Sequence, residues 1–470
     1  MNRSRALILL SVMNLALTGC ATRKYKPAAI SPAETASRLE SRSLEDGDLR
    51  EFLEKNLGHQ LSPWPVKSWD LKELTLAALY FSPELEIARA RTEAAQAAVI
   101  TAGARPNPSL SVQPGIPSPY LFSLDLDFPV ETAGKRRYRV ELARQLTAAA
   151  QFDLANTAWK VRSQVRRALL DHIIAGRDLE LLRNEERLQS KRVSLLTQRL
   201  SVGEIARPEV NFARVDVSNV RLAIRIAEAH VSETEAVLAA AISVPVAALK
   251  GVEFSWPDLD RPLGAESLSP QRVQRDAVLN RLDVRQSLAQ YGAAEADLRL
   301  EIAKQYPNFQ IGPGYTFEER NSFFTLGFAV TLPILNRNQG PIAEAEARRK
   351  EAAARFLATQ TRVIAESENA LASYRAALAE LNEAAESLTK LHGPREQMAR
   401  VSVAAGESDP LTFIDVQLQG AAAAHAKLSA LVRAQSALGA LEDAAQRPLD
   451  GEGAVPQPVS YLPPRTDRKE

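Results

Sequence analysis

Residues 122–128 read Phe-Ser-Leu-Asp-Leu-Asp-Phe, and about 200 residues later 324–332 read Phe-Thr-Leu-Gly-Phe-Ala-Val-Thr-Leu. In the first stretch Phe122, Leu124, Leu126 and Phe128 fall on one face of an extended chain, with Ser123, Asp125 and Asp127 on the other. In the second, Phe324, Leu326, Phe328, Val330 and Leu332 alternate with Thr325, Gly327, Ala329 and Thr331. A period of two is a strand with one apolar and one polar face. Partner strands are read at Ser109–Gln113 and at Asn308–Phe317, where Phe309, Ile311, Tyr315 and Phe317 form the apolar set. By itself the alternation suits a soluble sandwich, with the apolar face as core, as well as a barrel whose apolar face meets lipid. The rest of the chain decides between them.

The two strand pairs belong to an internal repeat. Arg105-Pro106-Asn107-Pro108 recurs as Tyr306-Pro307-Asn308-Phe309, and Phe128-Pro129-Val130 as Leu332-Pro333-Ile334, followed by Gly134 and Gly340 respectively. Val202-Gly203-Glu204 recurs as Ala405-Gly406-Glu407. Nearly one offset relates all three landmarks, so the chain is two copies of a unit: helix, two strands, long helix, tight turn, helix. Each copy supplies one hairpin, giving four strands. Four strands cannot close a barrel, and open edges are not tolerated in hydrocarbon, so membrane strands would require oligomerisation.

Helices supply the second half of the reading. After Gly134 the apolar residues keep helical intervals to Ser201 without a proline, a span of about 100 Å at 1.5 Å per residue. The second copy is expected to do the same from Ala343 to Val403. Helices of this length imply coiled-coil-like packing. The flanking helices, Trp69–Ala104 with Pro208–Ala241 and Arg272–Gln305 with Pro410–Ala445, are each about half as long. Two stacked end to end beside one long helix would make a wall of uniform height. Glycine is scarce, at 21 of 470 residues, as long helices require.

At the N-terminus, Arg3 and Arg5 precede an apolar run from Ala6 to Ala16 that is too short to span a bilayer, then Leu17-Thr18-Gly19-Cys20. This resembles a lipoprotein signal, with Cys20 as the lipidated residue; it is the chain's one cysteine, so no intrachain disulfide is possible. Ala21 is not the aspartate that retains lipoproteins in the inner membrane. The formal charge of +1 falls to −1 without Arg3 and Arg5, which offers nothing to nucleic acid. The expected organisation is a signal over 1–19, a lipid-anchored tether over 20–68 with a short helix near Asp48–Asn56, and a first repeat over 69–241. A linker at the tunnel waist follows over 242–271, then a second repeat over 272–446 and a proline-rich tail over 447–470, expected to be disordered.

Trp69-Asp-Leu-Lys-Glu-Leu with Ser82-Pro83-Glu84-Leu85, and Val202-Gly203-Glu204 through Pro208-Glu209-Val210-Asn211-Phe212-Ala213-Arg214, resemble the opening helix and first periplasmic turn of the TolC-like outer-membrane factors. Ala104–Pro108 and Glu131-Thr132-Ala133-Gly134-Lys135-Arg136 are similar to the branch serving cobalt–zinc–cadmium pumps, where two glycines usually stand and this chain has Ala133 first. The resemblance implies a mainly α fold with a small β part: a homotrimeric twelve-stranded transmembrane β-barrel continued by a periplasmic α-helical barrel. It implies a passive duct, not an enzyme, in the outer membrane. Its partners would be lipid, a periplasmic adaptor and an inner-membrane pump of the resistance–nodulation–division (RND) class, with heavy-metal cations as cargo.

On this resemblance Asp415, in Phe413-Ile414-Asp415-Val416, occupies a position similar to an aspartate that rings the closed periplasmic gate, and Glu209 holds a tip position in the first copy. An acid in the first turns of a helix also suits the helix dipole without further role. Gly203, Glu204, Gly406 and Glu407 would meet the adaptor, and Asp125 and Asp127 would line the barrel lumen as solvated carboxylates. His59, His172, His230, His392 and His425 are scattered without ligand spacing, so neither bound metal nor cofactor is expected, and no catalytic motif is found. Alternatives are the same duct carrying drugs or other small molecules, or serving type I secretion. A periplasmic coiled-coil scaffold lipoprotein is the non-channel reading.

Overall fold

The structure, a computed structural model, describes residues 25–116 and 120–449. The signal, Cys20 and the tail beyond residue 449 lie outside the described residues. Among the described residues two compact units are distinguished, divided between Arg42 and Ser43. In the first, α1 (Pro32–Glu40) is capped by Ser31, whose Oγ accepts from the Glu34 N–H at 3.4 Å. The second holds α2 (Gly47–Leu57), β1 (Ser68–Trp69), α3 (Leu71–Phe81), α4 (Pro83–Gly103), β2 (Ser109–Gly115), β3 (Leu121–Val130), α5 (Lys135–Ser201) and α6 (Arg207–Ile242). There follow β4 (Glu253–Phe254), α7 (Pro270–Asn280), α8 (Leu282–Ala303), β5 (Phe309–Glu318) and β6 (Asn321–Val330). The chain then runs through α9 (Gln339–Glu386), a π-helical turn (Ser387–His392), α10 (Gly393–Ala404) and α11 (Pro410–Ala445).

Lateral order is the organising feature. The sheet is β2-β3-β5-β6, antiparallel throughout. The helices joined to those strands pack in the matching sequence α4–α5–α8–α9. Below them α6 lies against α5, α5 against α11, and α11 against α9 and α10. Each strand thus continues into its own helix, and α5, 67 residues or about 100 Å long, runs through both tiers. The wall is four helices wide at either level.

Four expectations are corrected. The helix expected over Trp69–Ala104 is broken at Ser82, which is extended (φ −65°, ψ 116°) because Pro83 follows, and its Oγ caps the Leu85 N–H at 3.3 Å. Its counterpart over Arg272–Gln305 breaks at Arg281, whose guanidinium holds Asp283 at 2.7 Å and Glu366 at 2.6 Å. The second long helix is not continuous either. Pro394 has no N–H and would press on the carbonyl four residues back, and the chain responds with the π turn, in which the Gly393 N–H donates to Leu388 O, five residues back. Gly340 also proves the wrong landmark: the left-handed residue before α9 is Asn338 (φ 64°), matching Gly134 (φ 75°) before α5, while Gly340 lies inside the helix.

The segment read as a tether is part of the body from Leu44 onward. Leu44, Leu49, Phe52, Leu53, Leu61 and Trp69 bury against α3, the middle of α5 and the end of α6. There β1 pairs in parallel with β4, so the linker between the repeats is stitched to the start of the first repeat.

Close by, α5 meets α11 through a buried polar network. Arg166, 2% exposed, lies 3.4 Å from Glu442, which is fully buried, and donates to Gln435 O at 2.9 Å. Arg162 reaches the same Glu442 oxygen at 3.0 Å, and the indole N–H of Trp159 donates to Asp443 at 2.9 Å. Gly439 makes room for this, since a Cβ there would collide with the Arg166 guanidinium. Breaking a buried ion pair from one side leaves an uncompensated charge. Arg166→Leu should therefore lower stability by about 3 kcal/mol, the low end of the usual range because Arg162 still reaches Glu442. Gly439→Ala should act in the same direction. Thermal loss of helical circular dichroism in detergent measures both, and an unchanged midpoint would show that the network contributes nothing.

Candidate functional site

The strand register places the residues of the two sheet faces. Asp125 pairs with Ser111 on β2 and Gly314 on β5, and Gly314 with Thr325 on β6, forming a polar row across the sheet. The adjacent row runs Val112, Leu124, Tyr315, Phe324 and is wholly apolar. The polar face is lined by small residues. A Cβ at Gly312 would collide with the Asp127 carboxylate, and one at Gly314 with Asp125 and Thr325, so these glycines let both acids lie flat over the neighbouring strand. On the apolar face Phe324 is 86% and Leu326 77% exposed, and aromatic pairs stand near the two ends of the strands: Tyr315–Phe324 at 5.3 Å and Phe309–Phe328 at 5.6 Å. An exposed apolar sheet face flanked by aromatics is what lipid requires of a strand. Both outer strands, β2 and β6, end in open edges.

At the far end of the wall the two tips are built alike. After α5 the Gly203 N–H (φ 82°) donates to Leu200 O and the Glu204 N–H to Arg199 O. After α10 the Gly406 N–H (φ 77°) donates to Val403 O and the Glu407 N–H to Ser402 O. Both are Schellman closures, which explains why Gly-Glu recurs at these points. The helices that leave the turns are capped differently. Asp409 accepts from the Leu411 N–H at 3.0 Å, whereas Glu209 reaches back to the Ala206 N–H at 3.4 Å. Leu196, Val210 and Ala213 make a small core between the first pair, on which Leu411 of the second pair packs.

Two arginines one heptad apart on α5 join the tips electrostatically, and sequence reasoning missed both. Arg199 lies 2.6 Å from Asp409 and 3.9 Å from Glu204; Arg192 lies 3.6 Å from Asp415 and 3.8 Å from Asp216. The seven-residue spacing was visible; which acids it would meet depends on how α5 and α11 are rotated against each other. Asp415 is thus half-exposed beside a cation, and Glu209 is engaged in a cap. Higher up, His425 sits between Asp178 at 3.2 Å and Glu185 at 3.9 Å, a further link from α11 to α5. Among the described residues no group of three His, Cys, Asp or Glu is placed to hold a metal ion, and no helix is long and apolar enough to cross a membrane.

An amphipathic four-stranded sheet with two open edges, continued strand by strand into a helical wall that α5 spans for about 100 Å and that ends in matched tips, is the fold of a TolC-like outer-membrane channel subunit. No family model matches the chain. It is 25% identical over 345 residues to the cobalt-zinc-cadmium resistance protein CzcC of Cupriavidus metallidurans, covering 71% of this chain and 79% of that one. It is 24% identical over 346 residues to the pyoverdine export outer membrane protein OpmQ of Pseudomonas aeruginosa, covering 66% and 67%. The solved outer-membrane channel OprN superposes with a TM-score of 0.65 at 17% identity, over 91% of this chain and 98% of that one. The chain thus has the fold of solved outer-membrane channels, with an amphipathic sheet at one end and matched helical tips at the other.

Two experiments follow from the faces and the tips. Leu126→Arg puts a cation on the apolar face, at about 2–4 kcal/mol per copy near the bilayer midplane, and should abolish the folded form in outer-membrane fractions. Asp125→Asn on the polar face should fold normally and lower cation selectivity in a planar bilayer. At the tip, the Leu411 N–H and then Arg199 hold the Asp409 carboxyl below the usual aspartate range. Its contribution is therefore complete at neutral pH and is lost only as acid takes the pH down through that lowered value. Asp409→Ala should cost about 1 kcal/mol of cap energy, read as faster amide exchange at Leu411 and Thr412 at pH 7 with the rest of α11 unchanged.

Proposed function

We propose that three copies of this chain form a passive exit duct that docks a periplasmic adaptor and an inner-membrane RND pump and discharges heavy-metal cations. The observation that carries the duct is the sheet: its apolar face fits lipid, its polar face fits water, and its open edges require further strands. Three copies would supply twelve. Cys20 is the lipid anchor in this reading, Asp125 and Asp127 line the barrel lumen, and Gly203, Glu204, Gly406 and Glu407 form the turns presented to the adaptor. The metal cargo is supported by the likeness to a cobalt-zinc-cadmium resistance protein. The likeness to a pyoverdine export protein favours a second reading, export of a small organic molecule through the same duct. Deleting the gene should raise sensitivity to cobalt, zinc and cadmium several-fold without changing secretion of siderophores; the opposite pattern would select the second reading.

The gate is assigned to Asp415 alone, since Glu209 is taken up by its cap. One Arg192 against Asp216 and Asp415 leaves that cluster a net −1, so three such clusters brought together by three copies would form an anionic collar. Divalent cations added on the periplasmic side should block single channels, and Asp415→Ala should weaken that block at least ten-fold in blocking concentration while the trimer still assembles. Unchanged block would remove Asp415 from the constriction.

A further inference from the structure

Charge is distributed unevenly between the two ends of the sheet. Where the strands meet the helices, residues 104–108, 131–139, 301–308 and 331–337 carry seven lysines or arginines against two glutamates. At the opposite ends, 115–121 carry no charge, and 318–321 carry two glutamates and one arginine. Both glutamates at the helix end are already taken, Glu131 by Arg139 at 2.7 Å and Glu301 by Lys304 at 2.6 Å. Among the described residues no carboxylate pairs with Arg105, Arg136, Arg137 or Arg337, and neither α5 nor α9 has an acid in its first turn. Within this basic belt lies a cavity of about 790 Å³. Lys135 and Arg139 of α5, Lys304 and Tyr306 beyond α8, and the loop 332–336 after β6 line it, so that loop turns back over its own copy. Lys135 is buried, and two of its three N–H groups donate to Tyr306 O and Asn308 Oδ1 at 2.5 Å each. The loop is apolar and open: Leu332, Ile334 and Leu335 are 63–98% exposed. Leu332 falls next after Phe328 and Val330 in the alternation of the apolar sheet face.

We infer that this junction binds an anionic phospholipid of the periplasmic leaflet. Its phosphate is held by Lys304, with Arg337 one residue beyond the lining Asn336, and its acyl chains lie along Leu332, Ile334 and Leu335 towards the apolar sheet face. The inference rests on the sheet lying in the outer membrane and adds what the belt beside it recognises. Depth supports it. Strands β3, β5 and β6 are 10 residues each, the length that crosses one hydrocarbon core when tilted, so residues just past their ends stand at headgroup level. The exposed ring of Tyr306 suits that depth, where one end of the side chain is wet and the other apolar. Lysines and arginines clustered there meet lipid phosphates, and a positive surplus favours an anionic headgroup over a zwitterionic one. Free phosphate would engage the same cations but would leave three exposed apolar side chains in water, whereas a lipid engages both. The opposite ends of the strands lack the cations, so the preference is one-sided.

The test is native mass spectrometry of the full-length protein, solubilised from outer membranes, delipidated, and titrated with phosphatidylglycerol or phosphatidylcholine of identical chains. Phosphatidylglycerol should bind roughly ten-fold more tightly, and Lys304→Gln combined with Arg337→Gln should remove the difference. Leu335→Asn should weaken both lipids alike, and inorganic phosphate should displace neither. Equal binding of the two lipids, or none, by a chain recovered from outer membranes would overturn the site and leave the membrane reading intact. Displacement by inorganic phosphate, or a preference kept by the double variant, would overturn it too. A chain absent from outer-membrane fractions would overturn the membrane reading as well. Should the double variant fail to accumulate, the wild-type comparison and the phosphate competition decide by themselves.

Discussion

A strand in hydrocarbon cannot leave its edge groups unpaired, and this chain carries a sheet with an exposed apolar face and two open edges. The rest of the design follows from that requirement. Four strands are too few to close, so the sheet must curve and continue. Glycines at 312 and 314 leave space on the polar face, where Asp125 and Asp127 lie across the neighbouring strand. Because each strand feeds its own helix, the lateral order of the sheet is handed on to the wall beneath it. Length matching then follows: a long helix can be flanked at every level only if its neighbours stack, as α4 and α6 do beside α5.

Much of this was legible in the residues. The alternation at 122–128 and 324–332, the proline-free run from Gly134 to Ser201, and the repeated Gly-Glu turns each rest on local geometry, and local geometry is what a sequence states most directly. Breaks and pairings were less legible. Ser82-Pro83 is a plain stop signal, but it sits inside a run whose apolar period continues across it and masks the break. Pro394 carried another; its consequence, a π turn, depends on how the surrounding helix absorbs a missing hydrogen bond. The break at Arg281 has no proline, and rests on an ion-pair cluster that includes Glu366, 85 residues away.

The candidate site divides along the same line. Turn glycines could be read because positive φ is a property of one residue. The partners of Asp415 and Asp409 could not, because Arg192 and Arg199 reach them only once two helices have settled into register. Ala133 is an instructive middle case. The family pattern puts a glycine there, and the structure shows why: the residue sits at φ 55°, where a side chain is strained.

The π turn gives the two halves of the repeat different mechanics. Helix α5 is an unbroken strut from the strands to the first tip, so a load applied at that tip is carried to β3 without a weak rung. The second tip hangs from a strut with a joint at 387–394, roughly 20 Å above its end. Displacement there can be taken up as bending before it reaches the buried charges around Arg166. Two copies of one unit have thus become a stiff member and a compliant one, through a single proline.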